Sequence, residues 1–276
     1  MKSISHLFRL GPTLALAAAS AAILPLLPAR AENTTVPAAA APQVTACHAP
    51  AELVRLINPL KHVAQQIASG HPLTIVAIGS SSTAGAGASS PAMSYPSQLA
   101  VELAKLLPNM PIHVVNSGVN GEESKEMVGR FDRDVFAHKP DLVLWQVGTN
   151  SILRDQPLTE ANTSLHDGLK LLRAAGPDVV LINPQYAPKV ITKHDVDGMV
   201  DLIHVAAKES NVDLFERFAI MRYWRLTEDI PFSTFVSSDE LHMNDWSYGC
   251  IAKLLAIAIQ EAGTRTTVTA IAHGRK

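Results

Sequence analysis

From residue 73 onward the chain alternates between short, mainly apolar runs and longer segments whose apolar residues recur at helical spacing. The runs are Leu73–Ile78, Ile112–Val115, Leu142–Trp145, Val179–Ile182 and Val212–Phe215, mostly apolar and several of them rich in β-branched residues, with single polar positions at Thr74, His113 and Asp213. That pattern belongs to strands covered on both faces. Helix-sized segments separate them, including 94–107, where Leu99, Val101, Leu103 and Leu106 supply the apolar positions. An amphipathic helix is expected at 50–69, ahead of the first strand. Five strands joined by helical crossovers predict a parallel sheet in a three-layer α/β/α sandwich. In such sheets ligands bind at the carboxyl ends of the strands, beside the point where strand order reverses.

The first residues obey a different pattern. Lys2 and Arg9 precede an almost wholly apolar stretch at 11–28, and Ala29-Arg30-Ala31 has the small-x-small form of a cleavage site. The pattern predicts a signal peptide over 1–31, a flexible Ala/Pro/Thr-rich leader over 32–46 and a folded domain over 47–276. The mature protein is then expected in a periplasm or outside the cell. An uncleaved anchor competes with this reading, but two prolines, the alanine richness and the trailing Ala-Arg-Ala favour cleavage. No later segment is apolar enough for its length to span a bilayer, so no stable membrane insertion is expected after cleavage.

Export changes the reading of Cys47 and Cys250, the only cysteines. In an oxidising compartment they form a candidate disulfide tying the start of the domain to its last helix. Two other readings stay open, a lipoprotein box at Val44–Cys47 and a pair of unbridged buried thiols. Charge narrows the partners: 23 basic residues against 25 acidic ones give a net charge of −2, without the basic footprint of a nucleic-acid binder.

The strand ends carry the candidate chemistry. Gly79-Ser80-Ser81-Ser82-Thr83-Ala84-Gly85 follows the first strand. It fits neither the dinucleotide fingerprint, because residue 90 is Ser, nor the GxSxG elbow, because 79–83 read Gly-Ser-Ser-Ser-Thr. Asn116–Gly121 follows the second strand and Gln146–Asn150 the third. Near the C-terminus Asp239 stands three residues before His242. Within one turn of chain Asp239 can reach the Nδ1 proton and leave Nε2 facing a hydroxyl.

Together these four segments resemble the SGNH hydrolases, or GDSL esterase and lipase superfamily, over about residues 73–260. In that family a Ser follows the first strand, a Gly the second and a GxN motif the third, and DxxH precedes the last helix. The resemblance implies a flavodoxin-like sheet of order 2-1-3-4-5, with Ser81 as nucleophile, Asp239 and His242 completing a triad, and Ser81, Gly121 and Asn150 as oxyanion donors. Two positions depart from the common pattern: Ser80 stands where Asp usually precedes the nucleophile, and Ser151 follows Asn150 where Asp is frequent. Ser80, Ser81 and Ser82 are consecutive, and the register set by Gly79, Thr83 and Gly85 selects Ser81.

The activity so implied is ester hydrolysis without a cofactor, by way of an acyl-enzyme. Export directs the expected substrate toward short acyl groups, such as O-acetyl, on glycans or small esters. The alternatives are a lysophospholipase- or thioesterase-like lipid hydrolase and a non-catalytic glycan-binding protein on the same fold. His194, Asp195, Asp197 and His204 lack any tight ligand spacing, so they read as a solvated helix start and no metal is expected. Glu122 and Glu123 are either paired acids or first-turn helix partners. Trp145 and Gln146 finish a buried strand, and Asn183–Pro188 is either a substrate-contacting rim or a structural loop.

Overall fold

The computed structural model describes residues 46–273, with side chains to 265, so the predicted signal peptide and nearly all of the leader lie outside the described residues. Five strands, β1 (Leu73–Gly79), β2 (Ile112–Gly118), β3 (Leu142–Gln146), β4 (Asp178–Ile182) and β5 (Asp213–Phe215), form one parallel sheet in the order β2-β1-β3-β4-β5. This is the expected sheet, with its reversal of order between β1 and β3. β1 and β3 are buried almost throughout. β2 is half-exposed, contrary to the expectation of two covered faces, because it forms an edge. Its polar residues Asn116 and Ser117 continue the strand past the apolar run.

Six longer helices are α1 (Lys61–Ser69), α2 (Tyr95–Leu106), α3 (Leu158–Ala175), α4 (Val196–Ser210), α5 (Arg217–Leu226) and α6 (Asp245–His273). α6 packs on α1 and α2, while α3 packs on α4. Val63, Leu99, Leu103, Ile251 and Leu255 supply one apolar layer, and Leu165, Leu169, Met199 and Ile203 supply another. Burial of side chains this size, each worth about 1.5–3 kcal/mol, drives the layering.

The single helix expected at 50–69 is two, a short turn at Ala51–Val54 and α1. The break has distant causes. Asp213 Oδ1, at the start of β5, accepts the N–H groups of Ile57 and Asn58 at 2.7 and 3.0 Å. Asp178, at the start of β4, accepts those of Lys61, His62 and Val63 and so caps α1. Burial raises both carboxyl pKa values, and these backbone hydrogen bonds oppose the rise. Cys47 and Cys250 are joined, tying the entry segment to α6. Trp224 Nε1 donates to the His48 carbonyl at 2.8 Å beside them. Among the described residues no helix is long and apolar enough to cross a membrane.

Candidate active site

β1 ends in Gly79 and the chain turns at once into the short helix Ser81–Ala84. The three consecutive serines then have different fates. Ser80 Oγ donates to Gln146 Oε1 at 3.0 Å, Ser82 is fully buried, and Ser81 Oγ lies 2.8 Å from His242 Nε2. The close approach of β2 to this turn requires Gly118, since a Cβ there would fall 2.1 Å from the Ala84 nitrogen.

His242 comes from a tight loop ahead of α6. Val236 and Met243 form an antiparallel bridge, the Ser237 N–H donates to the His242 carbonyl at 2.8 Å, and Glu240 takes a left-handed conformation with φ of 61°. Asp239 Oδ2 sits 2.5 Å from His242 Nδ1. Its Oδ1 accepts from Ser237 Oγ at 2.6 Å and from the Leu241 and His242 N–H groups, each at 2.9 Å. Burial pushes the Asp239 carboxyl up, but hydrogen bonds from Ser237, the His242 ring and the two backbone groups outweigh it, holding the pKa well below the usual carboxylate range. The anion orients the ring, and Nε2 is aimed at Ser81.

The segments that carry Gly121 and Asn150 meet across the reversal of strand order. Asn150 Nδ2 donates to the Glu122 carbonyl at 2.8 Å, using one N–H of an amide that has two. Gly121 has φ of 82°, a conformation its missing Cβ permits. One helical turn beyond Asn150, Arg154 Nη2 donates to the Gly121 carbonyl at 2.7 Å and Nη1 donates to Glu123. Glu123 also begins a capping box with Glu126 on the helix Ser124–Val128. Asn150 and Arg154, in and just after the turn Thr149–Leu153, thus grip residues 121–123 at three points.

Glu122 and Glu123 do not act as paired acids here, since Glu122 binds Arg130 at 2.7 Å and Glu123 binds Arg154. The segment Asn183–Pro188 supports the site from within. Asn183 and Gln185 are fully buried. Asn183 binds Glu216 and the Phe218 N–H, and Tyr186 packs edge-on to Phe218. His194 pairs with Asp195 and His204 with Glu216, and among the described residues no three His, Cys, Asp or Glu side chains gather as a metal site.

Sequence reasoning missed Arg154, and it placed Gln146 and Gln185 only at a strand end and in a rim or structural loop, without their roles. Gln146 Oε1 accepts from both the N–H and the hydroxyl of Ser80, joining β3 to the Ser81 turn. A polar residue ending a strand whose other four residues are apolar was the available signal.

The sequence pattern of the non-GDSL lipase-like family matches residues 46–265. An arylesterase of Vibrio mimicus is 25% identical over 107 residues, covering 39% of this chain and 53% of that protein. An acetylxylan esterase of Geobacillus stearothermophilus is 36% identical over 56 residues, covering 20% of this chain and 26% of its own. The chain therefore spans about half the length of one relative and a quarter of the other. Among solved structures, a two-domain esterase active on acetylated mannans superposes with a TM-score of 0.64 at 18% identity, covering 76% of this chain and 56% of that one.

Proposed function

Because the chain belongs to the non-GDSL lipase-like family, we propose that it is an exported serine esterase that removes short acyl groups, O-acetyl foremost, from glycans or small esters. The observation that carries this reading is the unbroken relay from Ser81 Oγ through His242 to Asp239, with contacts of 2.8 and 2.5 Å.

In this mechanism His242 Nε2 accepts the Ser81 proton as Oγ attacks the ester carbonyl, and the Asp239 carboxylate stabilises the imidazolium that results. The tetrahedral oxyanion is held by the N–H groups of Ser81 and Gly121 and by the Asn150 amide. His242 returns the proton to the departing alcohol, leaving an acyl group on Ser81. Water, deprotonated by the same imidazole, then releases the acid. The two acetyl-carbohydrate esterases among the similar proteins support the choice of substrate. The Cys47–Cys250 bond fits a periplasmic or extracellular location, where disulfides persist.

Hydrolysis of short- and long-chain p-nitrophenyl esters and of acetylated xylo- and manno-oligosaccharides tests the proposal, with Ser81→Ala and His242→Ala as controls. Turnover of acetyl esters that both substitutions abolish is the expected result. Undiminished turnover in Ser81→Ala overturns the nucleophile, and a preference for long acyl chains overturns the substrate class. N-terminal sequencing of the protein from cell fractions tests export, with Glu32 expected as the first residue outside the cytoplasm.

A further inference from the structure

Arg217, at the start of α5, is wholly buried. Its Nε donates to the Asn183 carbonyl at 2.9 Å and its Nη2 to Gln185 Oε1 at 3.0 Å, while Nη1 has no partner among the described residues. Among the described residues it makes no ion pair, and the titratable groups acting on it are the Tyr95 and Tyr248 hydroxyls. Burial brings its pKa down to about 10, so the group remains a cation at neutral pH. A buried charge without a counter-ion is costly to a fold, and an apolar residue of similar size would usually serve stability as well.

Its surroundings are the segments that bear the reacting groups. Gln185 Oε1 also accepts from Thr149 Oγ1 at 3.0 Å, next to Asn150, and Gln185 Nε2 donates to the Leu241 carbonyl at 3.1 Å, next to His242. The two tyrosines reach the Ser81 segment: Tyr248 donates to the Ala86 carbonyl at 2.7 Å, and the Tyr95 hydroxyl lies 3.4 Å from Thr83 Oγ1. We infer that Arg217 is a positioning residue for ester hydrolysis, holding Gln185 as the tie between the Asn150 and His242 segments and lending an uncompensated positive charge to the site where the oxyanion develops. A fixed charge in a low-dielectric interior favours a nearby developing anion without reorganising during the reaction.

The inference rests on the Ser81–His242 reading, so Ser81→Ala accompanies every comparison; full activity there removes the premise, whereas loss of activity there leaves Arg217 to be judged by its own variants. Arg217→Met and Arg217→Lys are compared with the unaltered enzyme for kcat and KM on p-nitrophenyl acetate. Inhibition by a small alkyl boronic acid adds a second readout. Its boron accepts the Ser81 oxygen as His242 takes the proton, giving a tetrahedral anion. In a folded Arg217→Met, kcat falls by about tenfold or more and the boronate Ki rises in step, while KM moves by less than about twofold. Arg217→Lys, which retains the charge, recovers most of both losses. A folded Arg217→Met with unchanged kcat and boronate Ki overturns the inference, as does a Lys variant no better than Met. If Arg217→Met does not fold, Gln185→Glu pairs the guanidinium with a carboxylate, and Gln185→Met, which also lacks the Nε2 donor to Leu241 but adds no charge, is its control; a larger loss in Gln185→Glu than in Gln185→Met is then the effect of the charge. A drop in kcat and boronate affinity without a lower melting temperature supports the inference, and unchanged values of both overturn it.

Discussion

Breaking the Cys47–Cys250 bond is the perturbation whose size follows most directly from the fold. The bond joins residues 203 positions apart. In the chain-entropy account, closing a loop of that length removes roughly 18 cal/mol/K from the unfolded chain, or about 5 kcal/mol at 25 °C. For a domain of this size each kcal/mol shifts the midpoint by about 2–4 °C, so loss of the bond lowers the melting temperature by about 10–20 °C. The effect acts on the unfolded state. Native contacts nearby, such as that of Trp224 with the His48 carbonyl, also hold the entry segment. Urea unfolding of the oxidised, the reduced and the Cys47→Ala/Cys250→Ala proteins tests this, followed by tryptophan fluorescence. Trp224 and Trp246, 5.1 Å apart, are the reporters. The reduced chain should also show a larger m-value, because its unfolded state expands further. Below the melting range the proposed esterase activity should persist, since neither sulfur touches Ser81, Asp239 or His242. A stability loss under about 1 kcal/mol in a cooperative transition would refute the long-loop argument.

Three further outcomes are expected. Asn150→Ala should lower kcat by about 100- to 1,000-fold with little change in KM, the usual loss for one oxyanion donor; equal loss in KM would point to a binding role instead. Arg154→Met removes the grip on the Gly121 carbonyl and Glu123, and because Arg154 is half-exposed the loss should be about 1 kcal/mol, roughly fivefold in kcat. Steady-state kinetics with no change beyond error would show that residues 121–123 hold themselves. Asp239 is more acidic folded than unfolded, so its ionised form stabilises the native state above the unfolded pKa of about 3.9, and that contribution is lost as pH falls through the lower folded value. The stability difference between the unaltered protein and Asp239→Asn should therefore shrink on acidification, and denaturation curves in which it grows would contradict this.

What was legible in the chain, and what was not, divides along the range of the interactions involved. The five strands and their order of appearance follow from local apolar runs; for β1 and β3 the reason is that a strand covered on both faces has few other compositions open to it. The DxxH spacing was equally readable, since Asp239 and His242 meet within one turn of chain. The break in the expected helix at 50–69 was not, because its causes are Asp178 and Asp213, more than a hundred residues away. Helix pattern speaks for one face, whereas termination depends on where the orphan N–H groups find acceptors. The choice among three serines was a matter of register in the sequence; in the fold it becomes one of geometry, because Gln146, 66 residues on, takes the Ser80 hydroxyl and leaves Ser81 to His242. The roles of Gln146, Gln185 and Arg217 were hard to read for the same reason. Each is a polar residue whose meaning lies in partners brought together by the sheet, and none has a spacing that marks it. Reacting groups are restricted by chemistry to a few residue types at strand ends, and so they show in a sequence. The residues that orient them need only reach, through packing, a donor or acceptor that the fold supplies.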